Sequence, residues 1–190
     1  AVICISDPVR PEASRTIEAL HNLGIEKIVM MTGDNEKTAK YIAKEVGVDE
    51  YHAEVLPDDK ANYVNKEKEN GNVVIMVGDG INDSPALSAA DVGIAINTGA
   101  DIAKEVADIT ISSSDLLNLV TLRILGEKLV YRIDLNYHEI IGFNSLLILG
   151  SVLGILQPSA SALLHNTSTL LISTKSMTNL IDDNELELSY

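Results

Sequence analysis

No Asp, Glu, Lys or Arg occurs between Ile140 and Thr174, although the chain carries 28 carboxylates against 14 Lys and Arg and a net charge of −14. Apolar and acidic residues must therefore occupy different regions, and the chain cannot be one uniform globule. The uncharged run reads IIGFNSLLILGSVLGIL (140–156), breaks at Gln157-Pro158-Ser159, and resumes as ASALLHNTSTLLISTKSMTNLI. A membrane-spanning helix needs about 20 mostly apolar residues. The run predicts two transmembrane helices over 140–181, joined by a tight turn at Gln157-Pro158-Ser159. A buried hairpin of a soluble protein is the competing reading. Residues 119–139 read as a helical connection, with Arg123, Lys128 and Arg132 on the cytoplasmic side. Residues 182–190, DDNELELSY, form an acidic tail suited to water.

Residues 1–118 alternate between short apolar runs and helical patterns. AVICI (1–5), KIVMMTG (27–33), NVVIMVGDG (72–80), VGIAI (92–96) and DITIS (108–112) read as strands. Helices are expected between them, stopping at Gly24, Gly47 and Gly71. The first should bury Ala13, Ile17, Leu20 and Leu23. Continuous apolar strands alternating with helices imply an α/β domain: a parallel sheet with helices on both faces. The hydrophobic content of 46% excludes a disordered chain. The excess of acid argues against a nucleic-acid partner. One cysteine, Cys4, permits neither an internal disulfide nor a thiolate metal cage. The chain opens in mid-strand at Ala1, as a piece of something longer would.

In such a sheet, ligands meet the carboxyl ends of the strands. Three ends carry chemistry. Thr32-Gly33-Asp34-Asn35 offers a hydroxyl and backbone N–H groups that an anion can approach; Asp34 or Asn35 could equally be a helix cap. Gly78-Asp79-Gly80-Ile81-Asn82-Asp83 places two carboxylates beside glycines, a donor set suited to magnesium. Asp83 could instead only cap the helix that follows. Lys60, in Pro57-Asp58-Asp59-Lys60, opens a helix against its dipole. A surface lysine is the ordinary reading, but a phosphoryl centre needs a fixed cation.

Thr, Lys and an Asp pair at successive strand ends is the layout of the haloacid-dehalogenase-like phosphoryl-transfer fold. MTGDN, LPDDK and MVGDGINDSPALSAADVGIAI closely resemble the phosphorylation domain of P-type cation-transporting ATPases, as does ISDPVRPEASRTIEAL. RIDLNYHEIIGFNSLLILG and SALLHNTSTLLIS resemble the last two membrane helices of the heavy-metal branch. The resemblance implies a C-terminal part of a bacterial plasma-membrane pump, with residues 1–118 a partial, cytoplasmic phosphorylation domain. It implies ATP and magnesium as cofactors and a divalent heavy-metal cation as cargo. The bilayer and the remainder of the pump would be its partners. Asp79 would ligate magnesium with Asp83 supporting the loop; Thr32 and Gly33 would hold the phosphoryl oxygens, with Asp34 beside them in the catalytic set; Lys60 would offset their charge. Asp7 and Asn82 would lie towards the nucleotide. Asn144, His165 and Asn166 are polar candidates for the transported ion, with Asn144 the best partner for His165.

The family's Asp-Lys-Thr-Gly-Thr nucleophile stretch is absent from this chain, as is a Cys-Pro-Cys metal motif. The strand carrying the nucleophile would be central in the fold, and its loss would expose neighbouring strand edges. Two other readings compete: a membrane-tethered phosphatase of the same superfamily using Asp7, and a non-catalytic regulatory membrane protein.

Overall fold

A computed structural model describes residues 8–79, 82–96, 105–113 and 115–181. The chain divides into two compact units, residues 1–120 and 121–189.

The first unit is an α/β layer structure. Its described elements are α1 (Ala13–Asn22), β1 (Val29–Met31), α2 (Glu36–Val46), β2 (Glu50–His52), α3 (Pro57–Glu69), β3 (Ile75–Gly78), α4 (Ser84–Ala89), β4 (Val92–Ile96) and β5 (Ile109–Ile111). All ladders are parallel: β1 pairs with β2, and β3–β4–β5 form a second sheet. The expected single sheet is thus two among the described residues, because no ladder joins β1 to β3. Met31 of β1 nonetheless packs against the cluster of Val64, Met76, Ala86 and Leu87, so both sheets share one core. β2 is absent from the sequence reading, since Glu50-Tyr51-His52 has no apolar run to announce it. The expected strand AVICI lies outside the described residues.

The helix ends follow the sequence signals. Asn35 caps α2 by accepting the Thr38 N–H at 3.1 Å. Gly47 ends it at φ +87°, a left-handed conformation that costs other residues more, and donates its N–H to the Ala43 carbonyl. In α1 the buried face is Ala13 and Thr16, with Ile17 and Leu20 only half-buried. Thr16 can be buried because its hydroxyl donates to the Glu12 carbonyl at 3.0 Å.

One device recurs where the strands begin. An Asp directly ahead of a strand accepts the backbone N–H of the neighbouring strand segment. Asp49 takes the N–H of Ile28 at 2.6 Å, Asp91 that of Val74 at 2.9 Å and Asp108 that of Gly93 at 2.8 Å. Each carboxylate satisfies a donor near the ladder end.

The second unit contains most of α5 (Leu117–Val152) and all of α6 (Pro158–Ser176). α5 carries the expected connection and the first apolar run as one helix. It ends at Gly154, φ +73°, with the N–H groups of Ile155 and Leu156 returning to the Gly150 carbonyl. Pro158 is the first residue of α6 and Gln157 its cap, so the turn is 153–157 rather than Gln157-Pro158-Ser159. No helix among the described residues is both long and apolar enough to cross a membrane, against the expectation of two spans over 140–181. The physical reason is length and composition. Ile140–Val152, the uncharged part of α5, rises about 20 Å at 1.5 Å per residue, short of a hydrocarbon core of about 30 Å. α6 is long enough but interrupted by His165, Asn166 and a series of hydroxyls.

The charges bounding the uncharged run meet: Lys175 Nζ lies 2.7 Å from Glu139 Oε1. Nearby, Arg132 donates to the carbonyls of Ser176, Thr178 and Asn179, and Asn136 donates to the Ser176 hydroxyl. The base of the hairpin is therefore polar and locked.

Candidate functional site

β1 and β3 deliver their loops as parallel strands do, from their carboxyl ends. After β1, Thr32 is fixed by the β2 side: its N–H donates to the His52 carbonyl, and its own carbonyl accepts from Val55. Its hydroxyl donates to Asp34 Oδ2 at 2.9 Å and accepts the Asp34 N–H at 3.1 Å. Asp34 is thus tied to Thr32, and the cap of α2 is Asn35. Gly33 is exposed, its φ is not left-handed, and an added Cβ would come no closer than 3.9 Å to the Val55 carbonyl oxygen. Nothing among the described residues requires a glycine there.

After β3 the carboxylates separate in role. Asp79 is exposed at the strand's end, and Asn82 is exposed in the loop. Asp83 is buried, and Lys60 Nζ lies 2.7 Å from its Oδ1, with the two side chains 15% and 12% exposed for Lys60 and Asp83 respectively. Asp83 stands at the cap position of α4 but makes no side-chain cap bond, so its carboxylate serves Lys60 and not the helix. The surface-lysine reading of Lys60 is likewise overturned. Packing forces this meeting, because Val64 of α3 shares a core with Ala86 and Leu87 of α4. A buried ion pair adds little net stability over an apolar substitute. Gly78 is demanded by the pair: an added Cβ would lie 2.5 Å from Asp83 Oδ2.

Asp7 lies outside the described residues. Asn144 and His165 are brought together, Nδ1 to Oδ1 at 2.8 Å. Asn166 is exposed and hydrogen-bonds to neither.

A second ionisable group escaped the sequence reading because its members are scattered between residues 27 and 67. Lys27 Nζ lies 2.6 Å from Glu50, 3.1 Å from the Tyr63 hydroxyl and 3.7 Å from Glu67. The Glu50 contact, then the Tyr63 hydroxyl, raise the Lys27 ammonium above its ordinary range, and Lys27 in turn lowers Glu50. The His52 and Tyr63 rings pack at a tilt of 57° with their centroids 4.8 Å apart. An open groove of about 740 Å³ beside them is lined by Met31, Glu36, His52, Asp59 and Tyr63 among others. It includes none of Thr32, Lys60, Asp79 or Asp83. Among the described residues no three His, Cys, Asp or Glu gather into a metal cage.

Residues 1–91 match the haloacid dehalogenase-like hydrolase family. The chain is 44% identical over 176 residues to a zinc-exporting P-type ATPase of Mycobacterium marinum. It is equally similar to a manganese-exporting P-type ATPase of Mycobacterium bovis, each match covering 92% of this chain. It spans about a quarter of the length of these relatives, 24%. Its structure is similar to a crystal structure of a zinc-transporting PIB-type ATPase, with a TM-score of 0.82 and 34% identity over 92% of this chain and 28% of that one.

Proposed function

Because the chain belongs to the heavy-metal-transporting P-type ATPase family, we propose that it is the part of such a pump that stabilises phosphoryl transfer to an aspartate lying outside this chain. ATP supplies the phosphoryl group. The Lys60–Asp83 pair carries the reading: two residues 23 apart in sequence meet at 2.7 Å, largely buried, at the strand end where the chemistry is expected.

The strand bearing the nucleophile would enter between β1 and β3, the strands that no ladder joins among the described residues. Its aspartate would then face the ends of both loops. Thr32 and the Gly33 N–H orient the phosphoryl oxygens, which also accounts for a glycine that the surrounding packing does not need. The Lys60 ammonium offsets the charge that develops on those oxygens. Asp83 holds Lys60 in place.

The loop fits magnesium, which keeps several waters and needs only one or two carboxylates. Asp79 would hold it, being exposed where the loop leaves β3. When bound, the ion neutralises charge on the transferring phosphate.

The transported cargo is a divalent heavy-metal cation, and the candidates for its path are Asn144, His165 and Asn166. Relatives of equal similarity export zinc or manganese, so similarity alone does not select the metal. The pump to which the hairpin belongs is a multi-pass protein of a bacterial plasma membrane, and the hairpin lies against its other helices, with the first unit cytoplasmic. Leu146, Ile148, Leu149, Val152, Leu163 and Leu170 are exposed, a surface that requires cover by lipid or by other helices. The hydroxyls of Thr167, Ser168, Thr169, Thr174 and Ser176 all donate to carbonyls of their own helix, which lets polar residues sit in apolar surroundings.

The test is Lys60→Met in the full-length pump. The expected result is a loss of about 100-fold or more in phosphoenzyme formation from ATP, the scale of removing one preorganised charge partner. Lys60→Arg, which keeps the cation, should recover part of it. Ordinary phosphoenzyme formation in Lys60→Met would sink the assignment.

A further inference from the structure

We infer that Asn144 does not ligate the transported cation. Instead it fixes the tautomer of His165, so that Nε2 is the atom offered to a borderline divalent metal. The inference rests on the proposal that His165 lies on the ion path, and it deepens that proposal by assigning different jobs to the two residues.

The contact carries the argument. His165 Nδ1 lies 2.8 Å from Asn144 Oδ1, across from α6 to α5. With the amide oxygen facing the ring, the ring nitrogen donates, because a carbonyl oxygen has no hydrogen. In the neutral ring the proton is then on Nδ1 and the lone pair on Nε2. A free histidine side chain prefers the opposite tautomer, with Nε2 protonated and unable to bind a metal. Asn144 reverses that preference. Metal-ligating histidines generally give their other ring N–H to a carbonyl or carboxylate, which orients the ring and raises its basicity. Asn144 is a neutral version of that partner, suited to a segment that carries no formal charge from Ile140 to Thr174. A carboxylate there would bring an isolated charge into the apolar stretch.

The neighbouring groups leave the ring free to respond. The hydroxyls of Ser168 and Thr169 both donate to the His165 backbone carbonyl, so neither competes for the imidazole. Asn144 is half-buried and His165 exposed, so the amide is held while the far edge of the ring is accessible. A neutral imidazole nitrogen favours zinc over manganese or magnesium, as the order of divalent affinities requires. Asn144 is thus a positioning residue acting through His165.

The experiment uses the full-length pump in lipid nanodiscs, labelled with nitrogen-15 in histidine, without metal. His165 is identified by its disappearance in His165→Gln. The expected signal is the Nδ1-protonated tautomer in the wild type and the Nε2-protonated one in Asn144→Leu. An Nε2-protonated His165 in the wild type overturns the inference. Zinc-stimulated ATPase is measured on the same proteins. Asn144→Leu should raise the half-saturating zinc concentration about tenfold, the lower end of what losing such a partner costs. If His165→Gln abolishes zinc stimulation while Asn144→Leu responds to zinc as the wild type does, this inference fails and the ion-path proposal stands. If His165→Gln responds as the wild type does, both fail.

Discussion

Aspartates line both ends of the strands in the first unit, and the two ends use them differently. At the amino ends, Asp49, Asp91 and Asp108 are spent on backbone N–H groups of the neighbouring strand segments. At the carboxyl ends the described aspartates have other tasks. Asp34 takes a hydroxyl, Asp83 a buried lysine, and Asp79 lies exposed. The same residue type thus holds backbone N–H groups at one edge and the Thr32 and Lys60 side chains at the other. The reason is the direction of the strands. Parallel strands leave unpaired N–H groups where they begin, which attract carboxylates. The loops that leave their carboxyl ends can present side chains to a ligand.

The sharpest way to break the comparison is at Asp79. Asp79→Asn in the full-length pump should lower phosphoenzyme formation by about 100-fold or more. The melting temperature should stay near that of the wild type, because the side chain is exposed. A destabilised Asp79→Asn with normal phosphorylation would place Asp79 among the structural aspartates.

Asp83 joins both classes. Asp83→Asn should impair phosphorylation and also cost about 3 kcal/mol of stability, since removing one partner strands a largely buried lysine. Denaturant unfolding of the chain reads that cost. Unfolding indistinguishable from the wild type would show that Lys60 finds another partner or water.

The smallest effect is expected at Asp91. The Val74 N–H, and after it Lys68, lower the Asp91 carboxyl below its ordinary value of 3.8. A group depressed in the folded state stabilises above its unfolded value, and that contribution fades as pH falls through the folded one. Asp91→Asn should therefore lower the melting temperature by a few degrees at most at neutral pH. The difference from the wild type should vanish in acid, below the ordinary aspartate range. A gap that persists unchanged into acid would assign the effect to packing. No change in phosphorylation is expected.

The second unit repeats the lesson with neutral groups. Lys60–Asp83 joins formal charges inside a protein core, whereas Asn144–His165 joins neutral polar groups on helices whose outward residues are apolar. Charge appears on the hairpin only at its base, where Glu139 and Lys175 neutralise each other.

Local chemistry made much of this legible from the residues alone. Gly47 and Asn35 announce the two ends of α2, because a left-handed residue and an oxygen-bearing cap are needed just there. The strand-end motifs around Thr32 and Asp79 are legible because apolar runs stop abruptly at them, and the absence of charge over 140–174 separates the hairpin from the acidic unit. Three features depended on contacts between residues distant in the chain. Lys60 looks like a surface lysine until α3 packs on α4 and buries it against Asp83. β2 carries no apolar signature because it is held by its ladder to β1 and by the polar contacts of Glu50 and His52. The division of the described strands into two sheets was also decided by tertiary structure. Periodicity reports which residues want to be buried; it does not say which strand lies beside which, or how much of an apolar run a turn will claim.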